Sequence, residues 1–173
     1  MKIYMFGIIF LLSIVLMSAC GVSLDKEKEK AVANAEKAYS ESPKDANENY
    51  DSIRFHLPEQ FSIKDQAPNN IIMEKKAHPY ILFYNQNEGE DSDKVYEITN
   101  TATGEVIVDQ TFEVKDRFGY LIIIEIEENQ YEVTAGIGGI KVTTESDLKH
   151  IAENAETLMK IANSGIIDKS ASS

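Results

Sequence analysis

Among 173 residues there is one cysteine and no tryptophan, and 17 Lys plus Arg stand against 29 Asp plus Glu. A single thiol excludes an internal disulfide and a multi-cysteine metal cluster, so packing must supply the stability. The shortage of positive charge leaves a net −12. Lys2 is the one charge in residues 1–19, so a chain without them carries −13. Such a surface repels phosphate backbones and anionic headgroups, which argues against nucleic acid as a partner. The length fits one globular domain plus extensions.

Local signatures of catalysis are lacking too. His56, His78 and His150 are not paired with one another at metal-ligand spacing, and neither HExxH nor GxSxG occurs. All three histidines are expected as solvated or hydrogen-bonded surface groups. Gly136-Ile137-Gly138-Gly139 is the one Gly-rich loop, but no Lys-Ser or Lys-Thr follows it and no helix opens there, so a β-turn is expected. The densest acidic run, Glu88-Gly89-Glu90-Asp91-Ser92-Asp93, could offer oxygens to calcium, yet its register is not that of an EF-hand. It reads as a solvated hairpin loop. No cofactor, no metal and no enzymatic activity are expected.

What is present begins at the N-terminus. Lys2 precedes an apolar run from Ile3 to Leu16, and Met17-Ser18-Ala19-Cys20-Gly21 closes it. Charged start, apolar middle and small residues at the end make a secretory signal over 1–19. Small residues just before a lone Cys resemble the lipobox of bacterial lipoproteins, with Met17 in place of the usual Leu. The resemblance implies that the Cys20 thiol is coupled to diacylglycerol, that the chain is cut before it, and that the new amino terminus is open to acylation such as palmitate. Two or three acyl chains would hold the protein stably on the outer face of the membrane. The Ile-, Lys-, Glu- and Asn-rich composition also resembles small lipoproteins of Gram-positive bacteria.

Residues 20–49 alternate Lys and Glu, then Ala, then Ser, Pro, Asp and Asn, with Leu24, Val32 and Tyr39 as the large apolar residues. They read as a tether, with a possible frayed helix at 25–39. From Tyr50 to Ser164 a single α+β domain is expected: a curved antiparallel β-meander sheet of about six to eight strands, closed by a C-terminal helix. Strands are expected at Ser52–Leu57, Ile71–Lys75, Tyr80–Tyr84, Val95–Thr99, Glu105–Val114, Tyr120–Glu127, Tyr131–Ala135 and Ile140–Thr143. Thr144-Glu145-Ser146-Asp147 looks like a helix cap, and Leu148, Ile151, Ala152, Ala155, Leu158, Met159 and Ala162 form one stripe after it. Residues 165–173 read as a loose tail.

Aromatic residues crowd the strand region, and most are expected in the core. Arg117, Phe118 and Tyr120, read as lying in and beside a turn, are the candidate exposed contact surface. The function this supports is a non-enzymatic binding or interaction protein, anchored through Cys20, with an envelope protein as partner. Two alternatives are a carboxylate-dependent envelope hydrolase using acids such as Asp116 and Glu125, and a carrier enclosing a small apolar ligand between sheet and helix.

Overall fold

The computed structural model describes residues 22–101 and 104–168. The signal segment, Cys20 and the last five residues lie outside the described residues. The architecture is α+β, with a seven-stranded antiparallel sheet, a three-stranded antiparallel sheet, and helices at both ends of the domain.

Helix α1 spans Leu24–Ser40. Short strands β1 (Glu48–Tyr50) and β2 (Ile53–Phe55) follow, and then β3 (Ser62–Ala67), β4 (Asn70–Lys75) and β5 (His78–Tyr84). A short helix α2 (Lys94–Thr99) leads to β6 (Glu105–Val114), β7 (Arg117–Glu127), β8 (Gln130–Ile137) and β9 (Ile140–Asp147). A 3₁₀ turn at Leu148–His150 opens α3 (Ile151–Asn163), and β10 (Ile166–Ile167) pairs back onto β2.

The strand order of the large sheet is β3-β4-β5-β9-β8-β7-β6. Two meanders, β3 to β5 and β6 to β9, therefore join through the antiparallel pair of β5 with β9. This differs from one continuous meander, because 85–104 carries the chain across to the far edge before it returns. Gly138 makes the tight turn between β8 and β9 with φ of 53°, and a Cβ there would lie 2.1 Å from the Gly89 carbonyl oxygen. Only glycine fits.

Alternation sorts side chains onto two faces. Leu121 and Ile123 of β7, Val133 and Ala135 of β8, Val142 of β9 and Leu82 of β5 point into the main core. Helix α3 closes that core with Ile151, Ala155, Leu158, Met159 and Ala162, as its stripe predicts. On the opposite face Tyr120, Ile122 and Ile124 form a second, smaller cluster under Tyr96 of α2 and Phe118.

Four sequence expectations are corrected. The tether is the largest: the helix expected at 25–39 forms over Leu24–Ser40, but it is no solvated spacer, since its Ala31, Ala35, Ala38 and Tyr39 are buried in the main core, packed on α3 and β6. Small alanines allow the two helices to approach closely, so little apolar bulk is needed. Val95–Thr99 is helical, because Val95 and Thr99, four apart, share the face turned to the sheet. The cap expected at Thr144–Asp147 is the end of β9, with Thr144 and Ser146 buried between its partners. Ile166 and Ile167, placed in the tail, are a strand.

Candidate functional site

Arg117 opens β7 and is half-buried. Its Nε donates to Glu90 Oε2 at 2.8 Å and its Nη2 to Asn163 Oδ1 at 2.7 Å. Its guanidinium also lies over the Tyr39 ring at 5.3 Å, and the Tyr39 hydroxyl donates to the Arg117 carbonyl at 2.9 Å. Asn163 Nδ2 in turn donates to the Ala38 and Glu41 carbonyls, the open end of α1. Arg117 is thus a knot joining α1, α3, β7 and the loop before α2. Phe118 packs partly buried against Tyr96 at 5.4 Å, and Tyr120 has no exposed surface. Tyr120 is therefore withdrawn from the expected contact surface, since α2 covers its ring where a strand was expected, while Arg117 and Phe118 keep part of their surface exposed. Burial holds the Tyr120 phenol far above its ordinary pKa of 10.0, with a small opposing effect from the Thr99 hydroxyl.

The other sequence candidates are scattered. His56 Nδ1 donates to the Asp45 carbonyl at 2.9 Å, and His78 Nε2 donates to the Glu145 carbonyl at 2.8 Å, since a carbonyl can only accept. His150 Nδ1 lies 2.7 Å from Asp147 Oδ1. In the acidic loop Glu88 is turned inward, accepting from Ser92 Oγ at 2.5 Å and Lys94 Nζ at 3.1 Å. Among the described residues no three His, Cys, Asp or Glu gather as metal ligands. Asp116 sits in the β6–β7 turn and Glu125 near the far end of β7, so the acids named for a hydrolase lie about 30 Å apart at ~3.3 Å per residue.

A recess among the described residues draws its walls from positions that carry no local motif. A cavity of about 600 Å³ opens beside α3, between the segment after α1 and the β2–β3 loop, with Lys44, His56, Phe61, Lys75, Glu153 and Lys160 on its walls. A second, of about 480 Å³, continues along α3 past His78 and His150. The Lys75–Glu153 ion pair, 2.9 Å long, stands between them as a wall shared by both. The hydrogen bond from Lys75 lowers the Glu153 pKa below the usual carboxylate range, against a partial rise from burial. Behind this wall runs a buried chain in which Tyr80 Oη donates to Asn154 Oδ1 and Asn154 Nδ2 to Ser146 Oγ.

Of the carboxylates lining these recesses, Glu153 is paired with Lys75, Glu41 with Lys37 and Asp147 with Lys149. Such a lining is polar and charged. It is not the apolar chamber between sheet and helix that a carrier of greasy ligands needs, a space filled here by residues such as Phe55, Leu121 and Leu158. The recess was illegible because its walls come from four separate stretches of chain.

No family model matches this sequence, and no curated protein does. The solution structure of cyanobacterial PsbP (CyanoP) from Synechocystis sp. PCC 6803 is similar over 68% of this chain and 87% of that one, at a TM-score of 0.43 and 8% identity. Among the described residues no helix is long and apolar enough to cross a membrane.

Proposed function

We propose that this is a lipid-anchored interaction protein on the outer face of a bacterial membrane, held through a diacylglyceryl thioether on Cys20, with no catalytic role and a protein of the cell envelope as partner. The order of residues 1–21 supports the anchor. The observation that carries the reading is the start of α1 at Leu24 and its packing into the core. Four residue steps from Cys20 span at most about 14 Å. An acylated Cys20 therefore holds the folded domain against the headgroups, where a partner in the same membrane meets it at high effective concentration.

Crosslinking in intact cells, followed by purification and mass spectrometry, tests this against a Cys20→Ala strain. The reading expects a specific envelope protein with the wild type and its loss with the variant. An unchanged distribution between membrane and medium in the variant, or no partner above background in either strain, would overturn it. The recess beside α3, within the ~300–1,000 Å³ range of ligand sites, favours a second reading as receptor for a small polar ligand. Loss of ligand-induced stabilisation in Lys75→Ala would support that alternative.

A further inference from the structure

The two edges of the large sheet are built differently. Strand β3 is six residues long, carries Lys64 and Asp65, has a bulge between Ile63 and Asp65, and stops at Pro68. Those are features that blunt an edge against pairing. Strand β6 at the other end is ten residues long with neither lysine nor proline, and its own bulge, between Val106 and Val108, lies near its start and leaves Val108–Val114 in regular register. It pairs with β7 on one side, and among the described residues no strand pairs with it on the other.

That open edge does not face bare solvent. Helix α1 runs beside it, and between them lies a groove of about 510 Å³ whose apolar part is Val32, Ala33, Ile107 and Val108. Glu29, Glu36 and Asp109 also line it, against Lys28 as the one cation among its lining residues. Along β6 itself Glu105, Asp109 and Glu113 recur every four residues, which in a strand puts the latter two on the face away from the main core. Val106 and Val114 are 42% and 55% exposed.

We infer that β6 and the flank of α1 form a docking groove for an extended, basic segment of a partner protein, which adds to the sheet as an eighth strand with apolar side chains toward Val32 and Ile107 and Lys or Arg toward Glu113 and toward Asp109, whose carboxylate also accepts from Tyr96 and Asn100. Backbone hydrogen bonds supply affinity in this mode, and alternate side chains supply specificity. Charge selects the occupant. A second copy of this chain would bring three carboxylates of its own against Glu105, Asp109 and Glu113, and facing like charges disfavour that pairing. A cationic strand finds complementary charge instead, and its approach is steered by the protein's net −12. This deepens the interaction-module reading and rests on it, supplying the class of partner.

The test is hydrogen exchange on the full-length protein in detergent, with and without a synthetic nine-residue peptide alternating Lys with Val. A peptide with Glu in place of Lys is the control. Expected is slowed exchange confined to the amides of 105–114 with the Lys peptide and none with the Glu peptide. The double variant Glu105→Lys with Glu113→Lys should weaken Lys-peptide binding at least tenfold; both side chains are exposed, so the fold should survive. Protection elsewhere on the acidic surface, equal protection by both peptides, or no protection at all would overturn the proposal. Slow exchange of 105–114 without peptide, in a sample that sediments as a dimer, would assign the edge to self-association instead. Failure of the anchor would appear separately, as unchanged membrane retention in Cys20→Ala.

Discussion

The two faces of the large sheet are covered by unequal means. One face carries α1 and α3, two helices of 17 and 13 residues, and its core runs without interruption from Ala31 to Ala162. The other carries six-residue α2, and its buried cluster comprises Tyr120, Ile122 and Ile124 with Tyr96 and Phe118 packed on them. The first cover is wide and mostly aliphatic, with polar contacts such as those of Asn163 and Asn154 at its margins. The second is a small lid fixed by aromatic edges and hydrogen bonds, Tyr96 Oη and Asn100 Nδ2 both donating to Asp109 at 3.0 Å. Aliphatic burial sets how stable the domain is, and the aromatic side sets how well one face is shielded.

That contrast is broken most severely on the helical face. Leu158→Ala leaves a cavity under α3, where the side chain has no exposure, and should cost about 3 kcal/mol in denaturant unfolding. A cost below about 1 kcal/mol would mean that α3 is not the main cover. On the aromatic face Gly136 is the sensitive point, because a Cβ there would lie 2.5 Å from Tyr120 Cζ. Gly136→Ala should cost roughly 1–3 kcal/mol by overpacking, and Tyr120→Leu in the same chain should recover part of it. Additive losses in that pair would contradict the contact.

The α1 knot comes next. Asn163→Ala leaves the Ala38 and Glu41 carbonyls without their side-chain donor, and should cost on the order of 1–3 kcal/mol with faster amide exchange in α1 than in α3. Equal acceleration in both helices would show that α1 has no separate stability.

The smallest effects are in pH. Folding raises the Tyr120 pKa, so its contribution is fully present below the unfolded value of 10.0 and is lost as pH rises above it, where only the unfolded chain ionises. Lys141, whose pKa burial lowers, acts in the opposite sense. The alkaline loss in melting temperature should therefore shrink in Tyr120→Phe and grow in Lys141→Met. On the acid side Glu153, lowered by Lys75, contributes above its unfolded pKa and loses that contribution as pH falls through the folded value. The Glu153 side chain is 61% exposed and the pair is screened by solvent, so Lys75→Met should change acid stability by well under 1 kcal/mol.

Legibility in the sequence followed the amount of signal per residue. Strands β4 to β9 and helix α3 were readable because each carries several large apolar residues, in a run such as Leu121 to Ile124, at period 2 as in Tyr131, Val133 and Ala135, or at period 3.6 as in Ile151 to Met159. Helix α1 was legible as a helix but not as part of the core, because its buried stripe is Ala31, Ala35 and Ala38, which looks weak by hydrophobicity yet suits close helix packing. Short α2 offered too few residues to separate Val95 and Thr99 on a helix from the same pair on a strand. The knot at Arg117 joins residues as far apart as Tyr39 and Asn163, and the recess beside α3 joins Lys44 to Lys160. No local pattern encodes such meetings.

The proposed anchor at Cys20 fixes the N-terminus of the protein and the group it carries. Mass spectrometry of the N-terminal peptide from the membrane fraction is the direct measurement. The account expects a chain starting at Cys20, heavier by a diacylglyceryl group on sulfur. A peptide still beginning at Met1, or an unmodified Cys20 in a protein that washes free of membranes, would contradict it.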